Sequence, residues 1–183
     1  ERRIGIGSAG ILRDALDEKG VKYDRELLEE LIRKKNELQR KLSGYVELFE
    51  GAAELLEALH GRIKIALATM CSRKVIEKLL LEKSIRRYFE VVVTADEVSR
   101  PKPNPQIFVI SQRKLGVDPE GCLVVEDSVY GVKAAKAAGM RCVAVPSGPF
   151  TKEELRKESP DLLVDSIAEK DRILRFLFND YGS

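Results

Sequence analysis

Five short apolar runs from residue 62 onward constrain the fold of this chain more than any other feature. None of them alternates apolar with polar residues, which is typical of strands that are buried on both faces. Segments with helical periodicity follow the runs, and this alternation predicts a doubly wound, mostly parallel α/β sheet. The runs are IKIALAT (63–69), VVVT (91–94), CLVVED (122–127), CVAVP (142–146) and LLV (162–164).

The residues before this region are predicted to be helical. Asp24 is a good N-cap for a helix over 24–43, whose leucines recur at helical spacing. A further helix is predicted over 51–59. The change in character between the two regions divides the chain into a helical lobe, 1–48, and an α/β lobe, 49–183.

The composition of the chain indicates which classes of binding partner and which cellular compartment to expect. The chain has 32 basic and 30 acidic side chains and a net charge of +2, which gives no reason to expect nucleic acid or an anionic membrane as a partner. No apolar run approaches the ~20 residues that a membrane span needs. Cys71, Cys122 and Cys142 lack zinc-site spacing, so we expect a reduced, cytoplasmic protein. The low content of Asn and Gln favours a thermophilic source.

Polar side chains stand where three of the predicted strands end, the edge at which an open parallel sheet binds its ligands. The first is Thr69, beside the backbone amides of Met70 and Cys71. A hydroxyl with free amide donors just before a helix suits a phosphate. Taken alone, Thr69 is more simply explained as a helix cap.

The second polar feature is Lys102, within RPKPNPQIF (100–108). Pro101, Pro103 and Pro105 deny this segment regular hydrogen bonding and stiffen it. The lysine could therefore offer a fixed positive charge to an anion. A solvated lysine on a rigid surface turn is the simpler explanation when the segment is taken alone.

The third feature is the pair of carboxylates Glu126 and Asp127 at the end of CLVVED. Two adjacent carboxylates at a desolvated strand end cost free energy unless a cation compensates them, and hard oxygen ligands near a phosphate favour Mg²⁺. Helix capping by Asp127 would explain one carboxylate but not both. A hydroxyl, a lysine and a carboxylate pair at successive strand ends together predict a phosphoryl-transfer site.

These stretches resemble three motifs of the haloacid dehalogenase-like hydrolase superfamily, in the helical-cap branch that includes phosphoglycolate phosphatases and β-phosphoglucomutases. LATMCS resembles the second motif, RPKPNPQIF the third and VVEDSVYGVKAAKAAGM the fourth. The resemblance implies that Thr69 and Lys102 bind the transferring phosphoryl group and that Glu126 and Asp127 hold Mg²⁺. It also implies that the helical lobe is a cap over a Rossmann-like core.

The sequence departs from this family at the first motif, D-x-D-G-[TV], because no two of its aspartates lie two residues apart. In the family this motif ends a central strand between those ending here at Thr69 and Asp127, and it supplies the aspartate nucleophile and the general acid/base. Without that strand the sheet would split into two pieces with unpaired edges. We therefore hypothesise an N-terminally incomplete, weakly active or inactive form of an enzyme about 20–30 residues longer. In addition, Gln106 stands where the family usually has aspartate, directly after the K-P-x-P stretch of the third motif.

The sequence GIGSAG (5–10) has the G-x-G-x-x-G spacing of dinucleotide-binding loops. That fingerprint needs a preceding strand, and only four residues precede Gly5. By the family resemblance this stretch is instead a cap loop that faces the crevice. Ser8 in this loop and Arg73, four residues after Thr69, are candidates for binding the remote end of the substrate. Met70 and Cys71 are further candidate substrate contacts.

The leading prediction is a Mg²⁺-dependent phosphatase that acts on a small phosphorylated metabolite through an aspartyl-phosphate. Two alternatives remain within the family resemblance, a non-catalytic module that binds phosphate and Mg²⁺ and a phosphomutase of the β-phosphoglucomutase type. Mutase-like relatives carry a basic cap residue where a rough alignment places Ser8, and this difference favours a phosphatase. A dinucleotide-dependent enzyme is the third possibility. We expect a monomer or a homodimer.

Overall fold

The computed structural model describes residues 6–179, so Gly5 of GIGSAG lies outside the described residues. In this part of the chain, helices and strands alternate as the apolar runs predicted. The helices are α1 (Gly7–Glu18), α2 (Arg25–Leu42), α3 (Ala52–Leu59), α4 (Arg73–Glu82), α5 (Gln106–Leu115), α6 (Val129–Ala137), α7 (Lys152–Lys157) and α8 (Lys170–Asn179). The strands are β1 (Ala66–Ala68), β2 (Val91–Val93), β3 (Leu123–Glu126), β4 (Arg141–Ala144) and β5 (Leu162–Leu163). The predicted α/β class is confirmed.

All strand pairs are parallel, but the strands form two separate sheets. One sheet has the order β1–β2, with Ala66 opposite Val91, and the other has the order β3–β4–β5, with Leu123 opposite Arg141. Among the described residues nothing pairs between β1 and β3, so each of these strands has a free edge. This is the split expected of a sheet that lacks a strand between those ending at Thr69 and Asp127.

The largest apolar cluster joins the two sheets through α5 and α6 and contains Val93 of β2 and Val124 of β3. Val93, Ile107 and Val143 are fully buried. Val125, on the free edge of β3, is 42% exposed. Burial of apolar side chains stabilises folded chains by roughly 25 cal/mol per Å². An exposed valine in a strand that is otherwise core therefore marks a surface suited to a further apolar segment.

The helical lobe is formed by α1 and α2, which pack against each other, while α2 also packs on α4. Asp24 Oδ1 accepts a hydrogen bond from the Leu27 amide at 2.8 Å, so the predicted N-cap of α2 is confirmed. Lys78 on α4 donates to the Arg40 carbonyl oxygen at 2.7 Å and ties the end of α2 to the α/β lobe. Within residues 6–179, no helix has the length and apolar character that a bilayer crossing requires.

Candidate active site

A cavity of about 420 Å³ lies between the carboxyl ends of β1 and β3 and the start of α1. The structure brings seven of the eight predicted site residues to its wall. They are Ser8, Thr69, Met70, Cys71, Lys102, Glu126 and Asp127. The position agrees with the rule that open parallel sheets bind ligands at the carboxyl ends of their strands.

Thr69 follows β1 directly and continues its pairing, since its amide donates to the Val93 carbonyl oxygen at 3.0 Å. Its Oγ1 accepts a hydrogen bond from the Cys71 amide at 3.2 Å. Because the hydroxyl accepts this bond, its own hydrogen can be donated to an anion in the cavity. The N-cap of α4 is Ser72 rather than Thr69, so the simpler explanation of Thr69 as a helix cap is wrong.

Lys102 forms an ion pair with Glu126 in the wall of the cavity, and the two side chains are only 6% and 9% exposed. The Lys102 Nζ also lies 4.9 Å from the centre of the Phe108 ring, in a cation–π contact. A lysine this deeply buried is not a solvated surface residue. The pair fixes the ammonium group in one position beside the strand ends.

Gln106 organises the loop that carries Lys102. Its Oε1 accepts hydrogen bonds from the amides of Ser99 at 3.0 Å and Arg100 at 2.7 Å. A side-chain amide can accept these bonds as an aspartate would, but it adds no negative charge beside Lys102. Gln106 in place of the family's usual aspartate therefore still provides the hydrogen bonds that hold this loop.

The two carboxylates at the end of β3 have different surroundings. Glu126 Oε2 accepts from Ser128 Oγ at 3.0 Å, and Ser128 in turn caps α6 by accepting from the Gly131 amide at 2.9 Å. Capping of this helix by Asp127 is therefore wrong as an explanation of that residue. Burial, followed by the neighbouring charge of Glu126, raises the pKa of the Asp127 carboxyl above its usual value. An ionised Asp127 thus lacks full compensation within the chain.

These carboxylates fit Mg²⁺ as part of its coordination shell. Among the described residues there is no group of three or more His, Cys, Asp or Glu side chains that could hold a metal. Mg²⁺ usually keeps several waters and binds through one or two carboxylates together with phosphate oxygens, rather than in a cage built by the protein. Glu126 and Asp127 beside a phosphate site supply such a donor set.

Two glycines let the chain approach these carboxylates closely. A Cβ on Gly131 would overlap the Glu126 carboxyl group, and a Cβ on Gly148 would lie 2.5 Å from Asp127 Oδ2. Neither glycine needs a left-handed backbone, so the requirement is for space rather than for conformation. Gly131 of the fourth-motif stretch therefore leaves the space that the Glu126 carboxylate occupies.

The substitution Gly131→Ala is expected to lower the free energy of unfolding by about 1–3 kcal/mol, because the added methyl group displaces Glu126 from its pair with Lys102. Urea unfolding followed by circular dichroism measures the loss. Gly121→Ala is the matched control, since no heavy atom lies within 4 Å of a Cβ placed there. Equal stability of the two variants would contradict this assignment.

Of the two candidate contacts for the remote end of the substrate, Ser8 lies at the cavity and Arg73 does not. Ser8 faces the cavity, and its Oγ accepts a hydrogen bond from Lys35 Nζ at 2.9 Å. The structure does not bring Arg73 to the cavity, because its guanidinium donates to Glu97 Oε1 at 2.5 Å and to the Val92 carbonyl oxygen at 2.8 Å. Arg73 thus supports β2 and its neighbouring turn.

Lys35 and Gln39 of α2 also line the cavity, and sequence reasoning missed both. Lys35 Nζ donates to Gln39 Oε1 at 2.9 Å as well as to Ser8. The stretch GIGSAG does not form a dinucleotide loop, because α1 begins at Gly7 and leads into a second helix rather than a strand. In the described part of this stretch, Gly7 and Ser8 begin α1 and line the cavity at the strand ends.

The molecule is thus an α/β protein with parallel strands, a polar site at their carboxyl ends and a helical lobe that contributes to the same cavity. The family model described as haloacid dehalogenase-like hydrolase matches residues 3–145. The chain belongs to this family.

Its relatives include proteins named as phosphatases. "Putative phosphatase YhcW" of Bacillus subtilis (strain 168) is 37% identical over 176 residues, which cover 92% of this chain and 76% of that protein. The bifunctional riboflavin kinase/FMN phosphatase of Arabidopsis thaliana is 41% identical over 127 residues, 68% of this chain but 33% of that protein. The crystal structure of CbbY from Rhodobacter sphaeroides in complex with phosphate matches with a TM-score of 0.80 and 31% identity, over 90% of this chain and 75% of that one.

Proposed function

We propose that this chain carries the phosphate- and Mg²⁺-binding part of a phosphatase for a small phosphorylated metabolite. The observation that carries the proposal is the buried Lys102–Glu126 pair, which shares one cavity with Thr69 and Asp127. Membership of the hydrolase family and the phosphatase relatives support it. The CbbY structure in complex with phosphate adds a related protein that binds this anion.

Each residue has a role in this proposal that follows from its surroundings. The Thr69 hydroxyl and the Lys102 ammonium group bind oxygens of the phosphoryl group that is transferred. Glu126 and Asp127 hold Mg²⁺, and when bound the ion supplies positive charge that stabilises the extra negative charge of the transition state. Met70 and Cys71 form the wall beside the phosphate. The cavity volume of about 420 Å³ suits a small metabolite rather than a polymer.

An aspartyl-phosphate route needs one more carboxylate than the described cavity contains, since Glu126 and Asp127 are its only acidic lining residues. In that route a carboxylate oxygen attacks phosphorus, the bond from phosphorus to the ester oxygen breaks, and the leaving oxygen takes a proton from an acid. Water then hydrolyses the acyl phosphate and releases inorganic phosphate. In this proposal both carboxylates of the described cavity, Glu126 and Asp127, are metal ligands.

We propose that the nucleophile is carried by an extended segment outside these 183 residues, which pairs with the free edges of β1 and β3. Both edges border the cavity, so the carboxyl end of a parallel strand in the gap would place its next side chains among Thr69, Glu126 and Asp127. The exposed Val125 offers such a strand an apolar neighbour. By itself the chain is expected to show little or no turnover.

The absence of a third carboxylate from the described cavity also favours a second candidate function, a non-catalytic module that binds phosphate and Mg²⁺. The two functions use the same site for phosphate and Mg²⁺. Only the phosphatase also requires an aspartate-bearing strand in the gap between β1 and β3. A module of this kind would bind phosphate with Mg²⁺ and would remain inactive after an aspartate-bearing strand is supplied.

Thermal denaturation tests the shared binding site. Mg²⁺ and inorganic phosphate together are expected to raise the midpoint of unfolding by more than the sum of their separate effects, because each completes the site of the other. A ligand at 100 times its Kd stabilises a fold by about 2.7 kcal/mol. Asp127→Asn should remove the joint effect. Stabilisation by phosphate that is the same with Mg²⁺ and with a chelator would contradict the proposal.

A further inference from the structure

The N-terminus of α4 takes its cap from another part of the chain. Ser72 stands at the N-cap position, but its side chain accepts no hydrogen bond from the first turn of the helix, and that turn contains no acidic residue. Instead, Asp96 Oδ2 accepts from the Arg73 amide at 2.9 Å, although the two residues lie 23 positions apart. Carboxylates are favourable at helix N-termini because they bond to amides that the helix leaves unpaired and because they face the positive end of its dipole. Asp96 therefore holds the start of α4.

Asp96 lies in the 95–97 turn, a single turn of 3₁₀ helix (Ala95–Glu97) that follows β2. Each of the three residues of this turn bonds to the chain that follows β1. The amide of the first residue donates to the Cys71 carbonyl oxygen at 3.1 Å, and the second residue is Asp96 itself. The carboxylate of the third residue accepts from the Arg73 guanidinium at 2.5 Å. Three bonds thus fasten the loop 69–71 and the start of α4 to one turn.

The 95–97 turn is also continuous with the segment that carries Lys102. Four residues separate the turn from this lysine, and two of their amides donate to Gln106 Oε1. On its other side the turn bonds to Cys71, whose own amide donates to Thr69 Oγ1 at 3.2 Å. The turn therefore joins the two segments that carry the phosphate-binding groups of the proposed function.

The separation of these two groups has to be fixed if they are to share one phosphate. Groups that bind one ligand must be held within about 0.5 Å of the productive geometry. Lys102 lies in a loop in which three prolines deny regular backbone hydrogen bonding, so its position depends on contacts outside the loop. The 95–97 turn is the point from which this loop departs, and the same turn bonds to the loop 69–71.

We infer that Asp96 is a positioning residue of the phosphate site, because its bond to the Arg73 amide sets the loop 69–71 against the Lys102 segment. Asp96 does not itself line the cavity, so it acts on a ligand only through the backbone that it holds. The inference rests on the proposed function, which takes Thr69 and Lys102 as the groups that bind phosphate. It gives a carboxylate outside the cavity a role in phosphate affinity.

Calorimetric titration of inorganic phosphate in the presence of Mg²⁺ tests the inference with two substitutions of the same residue. Asp96→Ala removes the acceptor and leaves two of the three bonds, so it is expected to weaken phosphate binding about tenfold. Asp96→Asn keeps an oxygen acceptor on an equally good capping residue and should bind phosphate within about twofold of the parent chain. The conservative variant thus separates the bond to the Arg73 amide from the charge of the carboxylate.

Asp24→Ala is the matched control, because it removes the aspartate cap of α2, which bonds to the Leu27 amide at 2.8 Å. Urea unfolding should show a similar loss of stability in Asp24→Ala and Asp96→Ala, while only Asp96→Ala loses phosphate affinity. In the parent chain, hydrogen exchange of the Arg73 amide should slow when phosphate binds, and exchange of the Leu27 amide should not. This second measurement tests the same link without a substitution.

Unchanged phosphate affinity in Asp96→Ala would overturn the inference alone, since the cap would then serve stability only. An equal loss of affinity in Asp96→Ala and Asp96→Asn would also overturn it, because the effect would then follow the charge. Equal exchange of the Arg73 amide with and without bound phosphate counts against it in the same way. If the parent chain binds no phosphate, the proposed function fails and the inference fails with it.

Discussion

Supplying an extended segment that ends in Asp-x-Asp is expected to raise the phosphatase turnover of this chain by about 10³-fold or more, the size of effect that removing a nucleophile has in other enzymes. The physical reason is the gap between β1 and β3. A parallel strand there would form backbone hydrogen bonds on both sides, cover Val125 and bring a carboxylate to the phosphate site. Glu126 and Asp127 are the proposed Mg²⁺ ligands, so neither is expected to serve as that carboxylate.

The segment is a run of four or five apolar residues followed by Asp-x-Asp, added as a peptide or fused ahead of the chain. Release of phosphate from an aryl phosphate measures turnover. The chain contains no tryptophan, so a tryptophan in the peptide reports binding separately by fluorescence. A peptide ending in Asn-x-Asn is the matched control and should bind equally without turnover. A bound Asp-x-Asp peptide that gives no turnover would contradict the phosphatase proposal and favour the non-catalytic module.

Lys102→Met is expected to lower the free energy of unfolding by about 3–5 kcal/mol, the usual cost of leaving one member of a buried ion pair without its partner. Glu126 is only 9% exposed and would remain as an uncompensated carboxylate beside Asp127. Chemical denaturation in the absence of ligands measures the change. The same substitution should also remove phosphate binding, because the ammonium group faces the cavity.

The matched control for this effect is Lys41→Met, which breaks a pair with Glu37 whose side chains are 71% and 54% exposed. Exposed pairs contribute about 0–1 kcal/mol, so this variant should be close to the parent chain in stability. Lys102→Met combined with Glu126→Leu should recover part of the lost stability, since an apolar pair removes the buried charge. If Lys102→Met lowers the free energy of unfolding by no more than Lys41→Met does, the stabilising role of the buried Lys102–Glu126 pair is contradicted.

Much of the fold could be predicted from the sequence because the strands are apolar throughout. A run such as LVVE in β3 does not alternate apolar and polar residues, which predicts parallel pairing and burial on both faces, although Val125 at the free edge is 42% exposed. The division of the sheet into two pieces was expected only through the family resemblance. The apolar runs in the sequence predict that β1 and β3 are strands, but they do not predict which strands pair with each other.

The candidate site could be predicted where chemistry coincides with a strand end. Thr69, Lys102, Glu126 and Asp127 were found in this way, since parallel strands bring their carboxyl ends to one edge. The structure adds what the sequence could not show, that Lys102 and Glu126 form a buried pair and that Ser128 rather than Asp127 caps α6. The Lys102–Glu126 pair joins residues 24 positions apart in the chain, whereas the cap is a local contact for which the sequence offers two adjacent candidates.

Lys35 and Arg73 show the limits of prediction on helices. The lack of a carboxylate four residues from Lys35 is visible in the sequence, but only the packing of α1 and α2 places that face of the helix at the cavity. Arg73 lies four residues after Thr69, on the helix that begins beside the cavity. Its guanidinium nevertheless forms an ion pair with Glu97, 24 residues further along the chain. The choice between a ligand and a distant ion pair is decided by tertiary contacts.

These strand ends are proposed to form a phosphate site that Mg²⁺ completes, and calorimetric titration of inorganic phosphate into the chain tests this site most directly. The affinity is expected to be at least about tenfold higher with Mg²⁺ than with a chelator, a coupling of about 1.4 kcal/mol. Asp127→Asn should make the affinities with Mg²⁺ and with the chelator equal. Phosphate affinity that is independent of Mg²⁺ in the parent chain, or coupling that persists in Asp127→Asn, would contradict the claim.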